Sequence, residues 1–255
     1  MSLTGFFFNK QKAIVFSDST EYVVKRIPSL WLTYENFKKD VTYAKSSFNP
    51  KFAIATKTTV FMTVGTLTYE VIKKSVHFNT EDTPYKVSEK IRDYAQKEPK
   101  CDWYPIRAWI IGYDKEKNQI EIYQVNEETN FEVEKPKHFF SCFNNPNLKF
   151  HVGAASIEPE LIINHFIMCY PSLNKFVELG FEVFDYITQN FPLYMKPWFM
   201  GIISKNGIKI LNSEKQPKTQ KLKIELIKHE TPNKNAPCFT VMLDALKEVE
   251  QYANR

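Results

Sequence analysis

Residues 51–76, KFAIATKTTVFMTVGTLTYEVIKKSV, decide how the rest of the chain is read. Lys51–Ala55 reads as a short strand and Lys57-Thr58-Thr59 as a polar turn. Val60–Val64 is a second strand, apolar and β-branched almost throughout, which is the pattern of a strand covered on both faces. Gly65 breaks it. Beyond the glycine, Leu67, Val71, Ile72 and Val76 form an apolar stripe at helical spacing, and Glu70 and Lys74 sit one turn apart on the outside. The unit is strand, turn, buried strand, glycine corner, helix. A sheet that hands its chain directly to a covering helix needs close backbone approach at the corner, which glycine alone allows at low cost.

Working outward toward the N-terminus, Thr4–Phe8 and Lys12–Ser17 are apolar, β-rich and separated by Asn9-Lys10-Gln11, which predicts a hairpin. Its second arm runs into three small polar residues, Ser17-Asp18-Ser19. Tyr22–Ile27 reads as a short strand. Residues 28–49 carry no convincing stripe and read as an excursion over the surface.

On the C-terminal side, Thr83 and Pro84 supply an N-cap and a first helical residue for a helix to about Gln96. Pro105–Tyr113 and Gln119–Val125 flank a polar turn and predict a long hairpin. Asn144–Asn147 reads as a turn and Lys149–Gly153 as a strand. Ser156 precedes one helical pattern, with Glu158 and Glu160 in its first turn favouring the dipole. Ser172 precedes a second helix, to about Asn190. Trp198–Ser204 and Gly207–Leu211 flank Lys205-Asn206-Gly207, a tight-turn signal. Lys221–Lys228 alternates polar and apolar residues as a half-buried strand does, and Val241–Ala253 is amphipathic. Together, 221–255 reads as a strand-helix extension of a single domain over 1–255. Clusters of antiparallel strands alternating with helix pairs predict an α+β fold of packed sheets covered by helices.

Composition narrows the chemistry. Among the 255 residues Phe is common at 21 and Gly scarce at 7, and no glycine-rich phosphate loop or nucleophile-elbow motif occurs. The formal charge of +5 is a small excess of 34 basic over 29 acidic residues, which describes a solvated surface, so no nucleic-acid partner is expected. No run of apolar residues is long enough to cross a bilayer, so no membrane partner is expected either. Cys101, Cys142, Cys169 and Cys238 are too widely spaced for a zinc site and read as buried free thiols in a reducing, cytoplasmic location. No cofactor is implied. The five histidines pair with no Ser or Cys in a triad-like motif; the tryptophans and most phenylalanines read as core.

The order of these elements resembles the N-terminal-nucleophile hydrolase superfamily, in its proteasome-like branch. The resemblance rests on the hairpin ending in Ser17-Asp18-Ser19, on Lys51 opening the strand–glycine–helix unit, on the arm IIGYD with its returning strand, and on VGAAS leading into two helices and the hairpin FMGIISKNGIKIL. It covers roughly residues 2–211. It implies a four-layer αββα sandwich, two mainly antiparallel sheets between helix layers. It also implies association into a homo-oligomer, with the aromatic-rich 172–200 segment as the expected contact surface. The family's chemistry uses the hydroxyl of the processed N-terminal residue as nucleophile and its own α-amine as base. Carried onto this chain, the corner aspartate is Asp18, the nucleophile sixteen residues before it is Ser2, and the lysine is Lys51, whose charge would favour the free amine and pair with Asp18. Active members carry Gly-Ser-Gly where this chain has Gly153-Ala154-Ala155, so the supporting hydroxyl falls to Ser156, which also fits a plain helix N-cap. The link from Asp18 to Lys51 is longer than the family's, and Gly65-Thr66 stands where a glycine pair is usual. Two functions follow: a proteasome-like protein without catalysis, with a structural or assembly role, or a hydrolase of amide or peptide substrates. The departures favour the first.

Overall fold

The computed structural model describes residues 3–25, 33–64, 69–97, 107–136, 139–142 and 145–215. The chain opens with β1 (Thr4–Phe8) and β2 (Lys12–Ser17), then β3 (Thr20–Val24), α1 (Tyr34–Asp40) and β4 (Val41–Ser46). β5 (Phe52–Ile54), β6 (Thr59–Val64) and α2 (Tyr69–Ser75) follow, then α3 (Pro84–Ala95) and the hairpin of β7 (Arg107–Asp114) and β8 (Gln119–Asn126). β9 (Val133–Glu134), β10 (Phe140–Cys142) and β11 (Asn145–Gly153) lead to α4 (Ile157–Cys169) and α5 (Leu173–Asn190), and β12 (Phe199–Ser204) with β13 (Gly207–Asn212) closes the described chain. No described helix is long and apolar enough to cross a membrane.

The strands form an antiparallel six-stranded sheet in the order β10-β11-β1-β2-β12-β13, an antiparallel five-stranded sheet β5-β6-β7-β8-β9, and a two-stranded ribbon of β3 and β4. This is an α+β fold. Successive side chains on a strand point to opposite faces, and both faces are used. Phe6, Ala13 and Val15 of the first hairpin join Phe199 and Ile203 against Phe52, Val60, Met62, Trp109, Ile111 and Ile122 of the five-stranded sheet. Their neighbours Phe7, Ile14 and Phe16 instead meet Phe166 of α4 and Phe176, Phe184 and Ile187 of α5. On the five-stranded sheet, Phe61, Ala108, Ile110 and Val125 meet Ile72 of α2 and Val87, Ile91 and Ala95 of α3. The apolar runs of β6 and β7 are thus explained: both are interior strands with an apolar cluster on each side.

Local signals behave as their chemistry dictates. The Asn9 side chain accepts from the N–H groups of Gln11 (2.8 Å) and Lys12 (2.9 Å), which shapes the first turn. Asp114 at the end of the arm IIGYD does the same for Glu116 (3.0 Å) and Lys117 (3.1 Å). Thr83 caps α3 by accepting from Lys86 N–H, with Pro84 at the first helical position. A Cβ at Gly112 would strike Thr59 and Pro84, so the start of α3 lies directly on β7. Gly207 takes φ +117°, as the two-residue turn into β13 needs.

Other expectations change. Residues 28–49 do not simply run over the surface: α1 buries Tyr34 and Phe37 in the cluster shared with α4 and α5. Tyr34 N–H donates to both oxygens of Glu158 (2.8 and 3.0 Å), and its hydroxyl accepts from Leu193 N–H (2.9 Å). The β3–β4 ribbon is outside only in part: Val23 and Tyr43 are exposed as a cross-strand pair, while Val24 and Val41 pack against the same cluster. On α2, Ile72 is buried and Val76 half-buried, but Val71 is exposed, because adjacent residues point about 100° apart around a helix and cannot share one narrow face. β11 begins at Asn145 rather than Lys149, and its partner β10 had no sequence signal. The glycine corner at Gly65, the strand expected over 221–228 and the helix over 241–253 lie outside the described residues.

Phe176 has no exposed surface and its ring meets those of Phe7, Phe16, Phe166 and Phe184. Phe176→Ala is therefore expected to cost about 3–5 kcal/mol, read as a lowered urea midpoint with an unchanged slope. A loss below about 1 kcal/mol would contradict this packing.

Candidate functional site

The site lies where β2 leaves the six-stranded sheet. Ser17 is held between Thr4 of β1 and Phe199 of β12. The next N–H, that of Asp18, donates to the carbonyl of Leu3 (3.1 Å), so the start of β1 lies directly against the corner. Lys51 N–H donates to Ser17 Oγ (2.9 Å), and Phe52 after it enters the apolar cluster between the sheets. This brings Asp18 and Lys51, more than thirty positions apart in sequence, to one corner. Ser2 lies outside the described residues.

The segment from Ser46 to Lys51 straps the corner down from outside. Ser47 donates to the Ser19 carbonyl through both its N–H (2.8 Å) and its hydroxyl (2.9 Å). Ser46 Oγ lies 2.7 Å from the carbonyl of Lys196 and 2.8 Å from Ser19 Oγ, which itself lies 3.2 Å from the Met195 carbonyl, so the two hydroxyl protons serve three contacts. From the other side, Met195 N–H donates to Thr20 Oγ1 (2.6 Å) and the Met195 carbonyl accepts from Ser19 N–H (3.4 Å). Hydroxyls thereby satisfy the backbone of a strand end that is fully buried.

Asp18 is 0% exposed, and neither carboxylate oxygen makes a hydrogen bond of ordinary geometry. The Thr20 hydroxyl and N–H lie near enough to favour the charged form without reaching that geometry, and the Lys51 ammonium acts through its charge rather than as a direct ion-pair partner. Burial dominates and pushes the Asp18 carboxyl up from 3.8 to about 7. The expected close Asp18–Lys51 pair is thus replaced by a looser coupling, in which the carboxyl holds a proton for part of the time near neutral pH.

Ser156 occupies the N-cap position of α4 but does not cap it. Its N–H donates to the Tyr194 hydroxyl (3.0 Å) and its Oγ shares a 3.1 Å hydrogen bond with the same oxygen. Ser156 and Tyr194 are both fully buried. Burial pushes the Tyr194 phenol well up; its bonds to Ser156 pull it back down, and the charges of Asp18 and Glu158 add to the rise. Tyr194 is therefore within electrostatic reach of Asp18 and ties Ser156 into the same corner. Tyr34 and Phe37 pack against its ring. Neither Tyr194 nor Thr20 was legible beforehand. Tyr194 sits in the proline-flanked link FPLYMKP, where no periodicity marks an inward residue, and Ser46 and Ser47 fall in the stretch read as a surface excursion.

Elsewhere, Cys142 is buried and its thiol pushed up to about 11 by burial, whereas Cys169 is exposed, against expectation, and lies 3.4 Å from His165 Nε2. Cys101 and Cys238 lie outside the described residues. His151 packs between Phe6 and Trp109, where burial, and then the Arg107 charge, lowers it to about 4. Among the described residues no group of three or more His, Cys, Asp or Glu side chains is placed to hold a metal ion. No protein-family model and no curated protein matches the chain.

The Asp18 environment fixes a pH dependence. The folded-state value lies above the unfolded one, so this group's contribution to stability is complete below about pH 4 and is lost as pH rises through 7. The slope is about 1.4 kcal/mol per pH unit inside that window. Asp18→Asn should remove the slope, so that the variant is more stable than wild type at pH 8 by a few kcal/mol, with the advantage shrinking toward pH 4.5. Urea titrations of both proteins across that range measure it, and a pH-independent difference would refute the assignment. Tyr194→Phe should cost about 1–3 kcal/mol at all these pH values, because it strands the buried Ser156 N–H and hydroxyl without a partner.

Proposed function

We propose that the chain is a four-layer αββα protein of the N-terminal-nucleophile type, close to the proteasome-like branch, and that the Asp18 corner is the amide-hydrolysing site of that fold. The three apolar clusters support the layering: α4 and α5, then the six-stranded sheet, then the five-stranded sheet, then α2 and α3. One observation carries the functional reading. A buried carboxyl with no hydrogen-bond partner among the described residues is held beside a lysine at considerable cost to stability, and protein interiors rarely tolerate such a group without a use for it.

In this reading Ser2, exposed by removal of Met1, attacks a substrate carbonyl through Oγ. Its α-amine, with an ordinary pKa of roughly 7.7–8.0, takes the hydroxyl proton and passes it to the leaving amine; water then cleaves the resulting ester. Lys51 lowers the amine's proton affinity by its charge, and Asp18 moderates that charge by holding or releasing its own proton. The tie between Asp18 N–H and the Leu3 carbonyl supports this assignment, because it brings the chain within one residue of Ser2 to the corner. The cell compartment proposed is the cytoplasm.

A second reading, a proteasome-like protein without catalysis, is favoured by Ser156: its hydroxyl and N–H are both engaged by Tyr194 and are not turned toward a substrate. The aromatic-rich 172–200 segment gives the homo-oligomer little support as a contact surface, since Phe176, Phe184, Tyr194 and Trp198 are spent in the core.

The two readings separate on a panel of fluorogenic N-acyl amides assayed with protein whose N-terminal residue is fixed by mass measurement. The hydrolase reading expects turnover, an acyl adduct on residue 2, and loss of activity by at least a hundredfold in Lys51→Ala with a melting temperature within a few degrees of wild type. Retention of Met1, or turnover untouched by Lys51→Ala, would overturn it.

A further inference from the structure

Strand register brings an arginine to the end of the sandwich where the corner lies. Thr4 pairs with both Ser17 and Gly153. Phe6, two residues on from Thr4, belongs to the cluster between the sheets, so Thr4, Ser17 and Gly153 form a row on that same inter-sheet face. On the facing sheet Trp109 lies in this cluster, its ring centroid 4.7 Å from that of His151 and 5.3 Å from that of Phe6. Arg107 precedes Trp109 by two residues and therefore faces the same gap. It is also at the same end: the start of β7 pairs with the end of β6, the end of β6 with the start of β5, and Lys51 at the head of β5 is fastened to Ser17. The gap opens here. Thr4, Gly153, His151 and Arg107 are all half-buried, and no described atom lies within 4 Å of the position a Cβ would take at Gly153. The guanidinium is only partly engaged. Arg107 Nη2 donates to the exposed Glu128 (3.0 Å), while its buried Nε–H has no hydrogen-bond partner among the described residues. A buried donor left idle calls for an explanation. Burial, with the Arg107 charge behind it, keeps the His151 ring neutral, so the guanidinium stands within electrostatic reach of that ring.

We propose that Arg107 is a specificity-determining residue: its guanidinium receives the side-chain carboxylate of an acidic amide or peptide ligand that enters between the sheets at the Gly153 end, with the Trp109–His151 pair as the inner wall. This rests on the corner being the place where the ligand's amide is held. A planar guanidinium with a free edge pairs with a carboxylate through two parallel hydrogen bonds, which an uncharged carboxamide cannot match. The distances suit such a ligand. Neighbouring strands stand about 5 Å apart and packed sheets about 10 Å apart, a gap that an arginine from one side and a glutamate side chain from the other fill together. Glu128 shares the guanidinium and competes with the ligand for it.

The test uses the whole chain and two probes of equal shape, N-acetyl-glutamate α-amide and N-acetyl-glutamine α-amide, with binding read from the NMR shifts of the Trp109 indole N–H and the Gly153 backbone. The glutamate amide is expected to bind at least tenfold more tightly. Arg107→Gln should erase that preference. Arg107→Lys should keep only part of it, because lysine carries the charge without the fork. Glu128→Gln should strengthen the glutamate amide several-fold by releasing the guanidinium. Gly153→Val places its side chain in open space, so it should leave the melting temperature within a few degrees of wild type while weakening both probes at least tenfold. Equal affinity for the two probes, no binding of either, or a preference that survives Arg107→Gln overturns the proposal. So does a Gly153→Val variant that binds as wild type does. If the preference holds but neither probe nor any fluorogenic amide is hydrolysed, the hydrolase reading falls and this one stands. If amides are hydrolysed without regard to charge and Arg107→Gln changes nothing, the reverse holds.

Discussion

The structure depends on one constraint: the six-stranded sheet has no wet face along its centre. Phe6 and Phe7 are neighbours in sequence and belong to different cores, and the same holds for Ile14 and Val15. A one-residue slip in the pairing of β1 with β2 would exchange every one of these side chains between the cores. Register is therefore fixed twice over, from the helix side by Phe176 and Phe184 and from the sheet side by Trp109 and Met62. That rigidity brings Leu3, Ser17 and Gly153 to fixed places at one end of the sheet.

A sheet buried on both faces has a difficulty where its strands end, because the backbone turns away from its ladder partners while still out of water. The chain meets this with hydroxyls. Ser17, Ser19, Thr20, Ser46, Ser47, Ser156 and Tyr194 each bond to backbone groups or to one another around the corner. Uncharged partners complete the backbone's hydrogen bonds without adding charge to a dry region. Against that background Asp18 stands out, since it brings a carboxyl among hydroxyls and lacks a partner of the same quality. Its raised proton affinity follows from the surroundings that the hydroxyls create.

Elements that repeat a simple pattern were readable from the sequence. The hairpins at 4–17, 107–126 and 199–212, and the helices after Thr83 and Ser172, follow from alternation, apolar runs and caps, whereas Asp18 and Lys51 were singled out by the resemblance alone. What could not be read was anything decided by distant partners. Ser156 has the sequence setting of an N-cap, yet a tyrosine nearly forty positions later captures its hydroxyl. Tyr34 and Phe37 lie on a helix of only seven residues, too short for a stripe to show, and their burial follows from Glu158 and the link after α5. The missing ion pair between Asp18 and Lys51 is likewise a matter of tertiary placement, which spacing does not report.

The long link between the corner and Lys51 also bears on modularity. Through Tyr34 it is joined to the first turn of α4 and to the backbone at Leu193, and through Tyr34 and Phe37 it walls in Tyr194. Loops are ordinarily the parts of a fold that can be shortened, exchanged or cut without penalty. This one is closer to a wedge driven between two helices and a strand end. Trimming it to a short turn would open the core beside Ser156, so any exchange of its helix has to be matched at residues 156–158 and 191–195.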